Sequence, residues 1–227
     1  MNDTNDHTDT PMDPRLKVKS GVEIIAIHGH AGVGKDTISE WLRNEYMNTY
    51  QESFADPLKR ACAEAFGILG VNFYEPSLKE FINFYWDASP RQIAQFFGTE
   101  LFRTHIEKLI PWVGQDFWIA RMTRTLNGDV VEGPIYDSSD TVVIPDLRFQ
   151  NEFDWVVANG GHVIHLTRPG ADGKVGIPNH ASEAGIKFHS QEVVHEIVND
   201  GTLEELYRKV DIIIEIINLR KELKKIN

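Results

Sequence analysis

Gly29-His30-Ala31-Gly32-Val33-Gly34-Lys35-Asp36-Thr37 decides how this chain is read. The run stands directly after the apolar Val22 to Ile27 and directly before an amphipathic segment carrying Ile38, Trp41 and Leu42. Four residues separate Gly29 from Gly34 and Lys35 follows at once, so strand, glycine loop and helix stand in P-loop order. Glycines let successive backbone N–H groups turn inward around an anion. The helix N-terminus adds unpaired N–H groups and a favourable dipole, and the lysine ammonium reaches the outer phosphates of a nucleoside triphosphate. Asp36 stands where a Ser or Thr hydroxyl normally meets magnesium. Its carboxylate can ligate Mg2+, act through a metal-bound water, or cap the helix, and Thr37 offers a hydroxyl one place later.

The rest of the composition suits a small-molecule enzyme. With 227 residues and 41% hydrophobic content the chain can bury a sizeable core, as one domain with a small appended lobe. A formal charge of −11 argues against a nucleic-acid polymer as the main partner, whereas a small anion needs only a few local Lys and Arg. A single cysteine, Cys62, excludes an internal disulfide and a cysteine-rich zinc site, which suits a reducing cytosol. No apolar run approaches transmembrane length and no signal peptide is visible, so a soluble, cytoplasmic protein without a membrane partner is expected. Residues 1 to about 19 are rich in Asp, Asn and Thr without apolar periodicity and read as a disordered tail.

Strands alternate with helices along the remainder, which calls for a parallel sheet covered on both faces. A helix is expected from Thr37 to about Met47, and a short strand from Tyr50 to Phe54. Asp56-Pro57 then reads as the cap and first turn of a second helix; Asp56 is as well placed to face a substrate as to cap, and Lys59, one turn in, faces either an anion or only solvent. Residues 68 to 88 are aromatic and resist assignment. Ser89-Pro90 opens another helix on which Arg91, Gln95, Thr99 and Arg103 fall near one stripe, able to hold a phosphate and a sugar or to face solvent. Asp116-Phe117-Trp118 starts the next helix, to about Leu126, followed by a polar loop to Asp140. Thr141 to Ile144 is a short apolar strand leading to Pro145-Asp146-Leu147-Arg148-Phe149-Gln150-Asn151-Glu152. An Asp at the end of a strand beside the phosphate loop is placed to hold magnesium or substrate, or to cap a helix, and Arg148 lies at the same sheet edge. His162 to Thr167 is a fourth strand, and Arg168 leaves it into a glycine-rich loop, placed to close over transferring phosphates. His195 to Val198 is a fifth strand, and Thr202 caps a long closing helix.

Taken together, the phosphate loop, Phe54-Ala-Asp-Pro-Leu-Lys59, Gln95-Phe-Phe-Gly-Thr99-Glu100-Leu-Phe-Arg103, Asp116-Phe-Trp118, Asp146 to Glu152 and His180-Ala-Ser182-Glu183 resemble the phage-type deoxynucleoside monophosphate kinases. The resemblance spans roughly residues 22 to 215, and Asp after the loop lysine is a feature of that group. It implies an α/β P-loop NTPase three-layer sandwich with a five-stranded parallel sheet, a helical acceptor-binding lobe at about 55 to 128 and a lid at about 168 to 185. It implies transfer of the ATP γ-phosphoryl group to a deoxynucleoside 5′-monophosphate (dNMP). Lys35 and the loop amides would hold ATP, and Asp36, Thr37 and Asp146 would stand around Mg2+. Arg103 and Arg148 would grip the acceptor phosphate, Arg168 would be the lid arginine, and Thr99, Glu100, Asp116 and Trp118 would line the acceptor site, with Asp56, Lys59, Gln95, Asn151 and Glu152 nearby. A homodimer stays open beside a monomer. A related kinase acting on phosphomevalonate or dephospho-coenzyme A is the rival reading. A GTPase switch lacks its Asn-Lys-x-Asp and Asp-x-x-Gly motifs here.

Overall fold

The computed structural model describes residues 12–171 and 185–226. Its centre is a five-stranded sheet of β1 (Glu23–His28), β2 (Thr49–Gln51), β3 (Thr141–Leu147), β4 (His162–Thr167) and β5 (Val194–Val198), in the order β2-β3-β1-β4-β5. Every pairing is parallel. Alternate residues along each strand serve different layers, as the two-residue period of a strand requires. Ile24, Ala26, Val142, Ile144 and Val163 face a core built with α2 (Asp56–Phe66), α3 (Pro90–Gln95), α4 (Phe117–Leu126) and α5 (Gln150–Ala158). Ile25, Ile27, Val143, Ile164 and Leu166 face the opposite layer, made by α1 (Lys35–Glu45) and α6 (Leu203–Ile226). The doubly covered parallel sheet expected from the alternation of elements is the one observed.

Local chemistry accounts for most element boundaries. Ser89 closes a capping box with Gln92, and Thr202 with Glu205 forms the same reciprocal pair before α6. Helix α1 begins at Lys35, two residues earlier than its apolar pattern suggests, because the phosphate-loop lysine and Asp36 already lie in its first turn. Strand β2 is shorter and earlier than expected, ending at Gln51. The chain then turns sharply, and Ser53, Phe54 and Ala55 bond to the end of β3.

Two further departures matter. The chain read as a tail is packed before residue 19: Leu16 is buried, and its carbonyl accepts from Trp155 Nε1 at 2.9 Å and from Asn159 Nδ2 at 3.3 Å. After α3 the helix widens into a π-helix over Phe96–His105. Such wide turns are rare and are often found at functional sites. Gly98 lies inside it; a Cβ there would stand 2.7 Å from Leu58 Cδ2, so the glycine admits α2 against this helix. Among the described residues no helix is long and apolar enough to cross a membrane.

Candidate active site

Strand β1 is the middle strand, and it delivers the phosphate loop to the carboxyl edge of the sheet, where open α/β sheets bind ligands. Gly29 has no room for a side chain, since a Cβ would lie 2.3 Å from the Leu166 carbonyl oxygen. Gly34 takes a φ of 108°, a conformation that favours glycine, and hands the chain to α1. Val33 is buried in the α1/α6 core and pins the loop from below. From the end of β5, Asn199 Nδ2 donates to the Val33 carbonyl at 2.8 Å, while its backbone N–H donates to Thr167 O at 2.8 Å. Lys35 Nζ donates to the carbonyls of Gly29 at 2.6 Å and His30 at 2.8 Å, which holds the ammonium across the loop. His30, Ala31 and Gly32 are exposed at the tip, Asp36 is exposed in the first turn of α1, and Thr37 is half-buried. Beneath the loop, burial depresses His28 to about 4, so this ring is neutral around pH 7.

Beside the loop stands the end of β3. Residue His28 is in register with Leu147 and bonds its carbonyl, so Gly29 and Arg148 leave neighbouring strands at one edge. Pro145 cannot donate to a ladder, and the β1–β3 register slips between Ala26 and His28 at that level. The slip accompanies a turn of Asp146 toward the β2–α2 connection. Its carboxylate accepts from Ser53 Oγ at 2.6 Å, Phe54 N at 3.1 Å and Ala55 N at 3.0 Å. Helix α2 has no side-chain cap of its own; Asp56, expected as the cap, sits inside the first turn with Lys59 Nζ 3.6 Å from its carboxylate. The β3 aspartate therefore does part of the capping that sequence spacing assigns to Asp56.

Glu152 organises the next layer. It is 1% exposed, and one carboxylate oxygen accepts from the backbone N–H groups of Arg148 at 2.9 Å and Phe149 at 3.1 Å. The other accepts from Arg103 Nη2 at 2.5 Å; Arg103 is itself only 8% exposed and its guanidinium lies 3.7 Å over the Phe149 ring. Burial raises the proton affinity of Glu152, while Arg103 and the two N–H donors oppose that rise. Next in sequence, Asn151 Nδ2 donates to Asp116 Oδ1 at 2.8 Å, joining α5 to the start of α4. Trp118 is buried and donates through Nε1 to the Gly98 carbonyl at 3.1 Å. Gln95 and Thr99 are half-buried and Glu100 exposed. The expected stripe is divided, with Arg91 Nε 2.5 Å from Glu80 Oε1 and Arg103 turned inward to Glu152.

Lys79 was missed by sequence reasoning. It lies in the aromatic segment without periodicity, yet Arg91, Lys59 and Arg148, after its burial, all lower its pKa, so the four cations share one electrostatic neighbourhood. The Arg91 N–H also donates to the Lys79 carbonyl at 2.9 Å, and Lys59 Nζ sits 4.3 Å above the Tyr74 ring. Arg168 is exposed where the chain leaves β4. The expected lid lies mostly, and His180, Ser182 and Glu183 entirely, outside the described residues. Cys62 is buried, and burial pushes its thiol up to about 11, so it is packing rather than a nucleophile.

A family model for deoxynucleotide monophosphate kinase matches residues 74–210. The chain belongs to that family. It is 31% identical over 189 residues to a protein of Acanthamoeba polyphaga mimivirus carrying the family name, spanning 82% of this chain and 93% of the relative. It is 25% identical over 240 aligned positions to the deoxynucleotide monophosphate kinase of Enterobacteria phage T4, covering 83% and 97% of the two chains. The deoxynucleotide monophosphate kinase match begins after the phosphate loop, so the reading of Gly29 to Thr37 rests on its own geometry. It takes in Lys79, Arg91, the π-helix, the Arg103–Glu152 pair and Arg148.

Proposed function

We propose that the chain transfers the γ-phosphoryl group of ATP to the 5′-phosphate of a deoxynucleoside monophosphate, giving ADP and the diphosphate. The observation that carries this reading is that Arg148 leaves β3 beside the strand that delivers the phosphate loop, its backbone held by the buried Glu152–Arg103 pair, with Lys79, Lys59 and Arg91 as further cations of the acceptor lobe. One edge thus offers two anion sites of different chemistry. The loop amides and Lys35 take the triphosphate, and the cation group takes the acceptor phosphate.

An acceptor phosphate oxygen is already ionised near neutral pH, so positioning and charge neutralisation carry the reaction without a dedicated base. That oxygen attacks the γ-phosphorus as the bond to the β-phosphate bridging oxygen breaks, and ADP leaves with that electron pair. Asp36, exposed in the first turn of α1, and Thr37 behind it are the residues that would hold Mg2+ against the ATP phosphates. When bound there, Mg2+ would neutralise charge on the ATP phosphates. Asp146 has both oxygens engaged by the 53–55 turn, so its part is to fix the β2–α2 connection, and it would meet the metal through water. Arg103, Glu152, Asn151, Asp116 and Trp118 position the acceptor wall, with Asp56, Gln95, Thr99 and Glu100 along the same lobe. Arg168 supplies charge from the β4 exit.

The test is ADP release from ATP and Mg2+ with each dNMP, its ribonucleotide counterpart, phosphomevalonate, dephospho-coenzyme A and an acceptor-free blank. Release that requires a dNMP and is lost in Lys35→Ala with an unchanged melting temperature is expected. Release that needs no acceptor, or only a non-nucleotide one, overturns the substrate assignment.

A further inference from the structure

Tyr74 stands in the aromatic segment that has neither helical nor strand period, yet its place is built. Helix α2 ends at Gly67, whose φ of 60° turns the chain back. Phe73 then anchors the returning stretch in the core that Leu58 and Cys62 of α2 share. Its neighbour Tyr74, with its N–H bonded to the Val71 carbonyl at 3.0 Å, is thereby carried to the first turns of α2 rather than to its end. There Lys59 Nζ lies 4.3 Å above the centre of the Tyr74 ring. The Tyr74 hydroxyl donates to the Asp56 carboxylate, which fixes the ring from its far end. Burial first, and then the Asp56 charge, raises the proton affinity of this hydroxyl, so it stays a donor.

This arrangement holds an ammonium without quenching it. An aromatic face attracts a cation within about 6 Å of its centre, but it carries no net charge to cancel the cation's. Asp56 Oδ1 stands 3.6 Å from Lys59 Nζ, outside hydrogen-bond reach, and among the described residues no acceptor takes the three Nζ donors. The Asp56 carboxylate is available as a side partner because the Phe54 and Ala55 N–H groups ahead of α2 already belong to Asp146. A lysine stem otherwise samples many rotamers, and a site that needs the charge at one point has to restrict them. The ring does so while leaving both the charge and the donors for an incoming anion.

We infer, on the dNMP reading proposed above, that Tyr74 is a positioning residue of the acceptor site, whose ring holds the Lys59 ammonium ready for the acceptor phosphate. Tyr74 acts on the acceptor through Lys59. Its removal is therefore felt in acceptor binding, and not in the use of ATP or in the transfer step. A carboxylate in place of the ring would restrain the lysine as well, but it would cancel the charge that the phosphate is to meet and would compete for the same donors.

Steady-state kinetics of the full chain decide this. Tyr74→Leu should raise the KM for the acceptor about fivefold, while kcat and the KM for ATP stay within about twofold of wild type. Tyr74→Phe keeps the ring and should stay within about twofold on all three. In a Lys59→Met background Tyr74→Leu should add less than about twofold, since the cation it positions is gone. Tyr74 is 44% exposed, so the melting temperatures should remain close to wild type. A Tyr74→Leu effect that persists undiminished in Lys59→Met, or a Tyr74→Phe as impaired as Tyr74→Leu, overturns the positioning role. If the dNMP reading itself is wrong, ADP release is indifferent to every dNMP, and the NMR signal of the Lys59 ε-methylene then reads the contact directly. That signal should lie upfield through the ring current in wild type and Tyr74→Phe. On titration with inorganic phosphate it should move with about fivefold weaker affinity in Tyr74→Leu. A signal without the ring-current shift, or a phosphate titration that Tyr74→Leu leaves unchanged, overturns the role of the ring.

Discussion

Glu152→Gln isolates what the buried acid contributes. In the native structure one carboxylate holds a nearly inaccessible guanidinium at 2.5 Å and two backbone N–H groups at 2.9 and 3.1 Å. The amide keeps the shape and one acceptor oxygen but loses the charge, and its NH2 is turned toward donors on one side or the other. Breaking a buried ion pair by removing one partner costs about 3–5 kcal/mol, because the remaining charge stays desolvated. Some relief comes from Phe149, whose ring stacks on the Arg103 guanidinium, so about 3 kcal/mol is expected. For a domain of this size that lowers the melting temperature by roughly 6–12 °C. Urea unfolding of the wild type, Glu152→Gln, Arg103→Met and the double variant completes a thermodynamic cycle. The double variant should recover at least about 1 kcal/mol relative to the sum of the singles, since neither charge is then stranded. Additive singles, or a loss under 1 kcal/mol for Glu152→Gln, would refute the pair as the anchor of the β3–α5 turn.

Three further outcomes are expected. Lys79→Ala should raise the KM for the acceptor about tenfold and leave that for ATP nearly unchanged, with added KCl shrinking the difference; equal effects on both substrates would remove Lys79 from the acceptor side. Asn199→Ala strips a donor from the Val33 carbonyl and should weaken ATP binding by roughly fivefold, about 1 kcal/mol, read by calorimetry. His28 has a folded pKa of about 4 against 6.5 unfolded, so the unfolded chain binds the extra proton and the stabilisation present above pH 6.5 is lost as pH falls toward 4. Between pH 7.5 and 5 this one group should cost about 2 kcal/mol in urea unfolding, and His28→Gln should flatten that part of the profile.

What the sequence made legible was local. The phosphate loop announces itself because glycine positions, lysine and helix start are fixed by contiguous residues, and Ser89 and Thr202 cap their helices through partners three residues away. Alternation of strands with helices sufficed for the parallel sheet. Lys79 was hidden because the segment around it has neither helical nor strand period: it is built of short turns, an isolated bridge between Asn83 and Ala88, and a Trp86 bond to the Phe66 carbonyl. The exchange of capping duty between Asp56 and Asp146 was hidden for a different reason. It depends on Pro145 and the slipped register of β1 against β3, a tertiary event with no marker at residue 56. Leu16 likewise gave no periodic signal, since a single buried side chain anchors that stretch.

The charge distribution reconciles an acidic chain with a site for dianions. A formal charge of −11 would repel a phosphate if its acids stood freely around the cleft. Five of them are held: Asp146 is bound by three donors, Glu152 by Arg103 and two N–H groups, and Asp116 by Asn151, while Asp56 and Glu80 are drawn to Lys59 and Arg91. These acids hold backbone turns and orient cations. Burial first, and then Arg91, Lys59 and Arg148 against the opposing Glu80, lowers the pKa of the half-buried Lys79. Such a group is costly without an anion and is relieved by one. On the proposed function, an incoming phosphate should therefore stabilise the acceptor lobe as well as bind to it, which a rise in melting temperature with added dNMP checks.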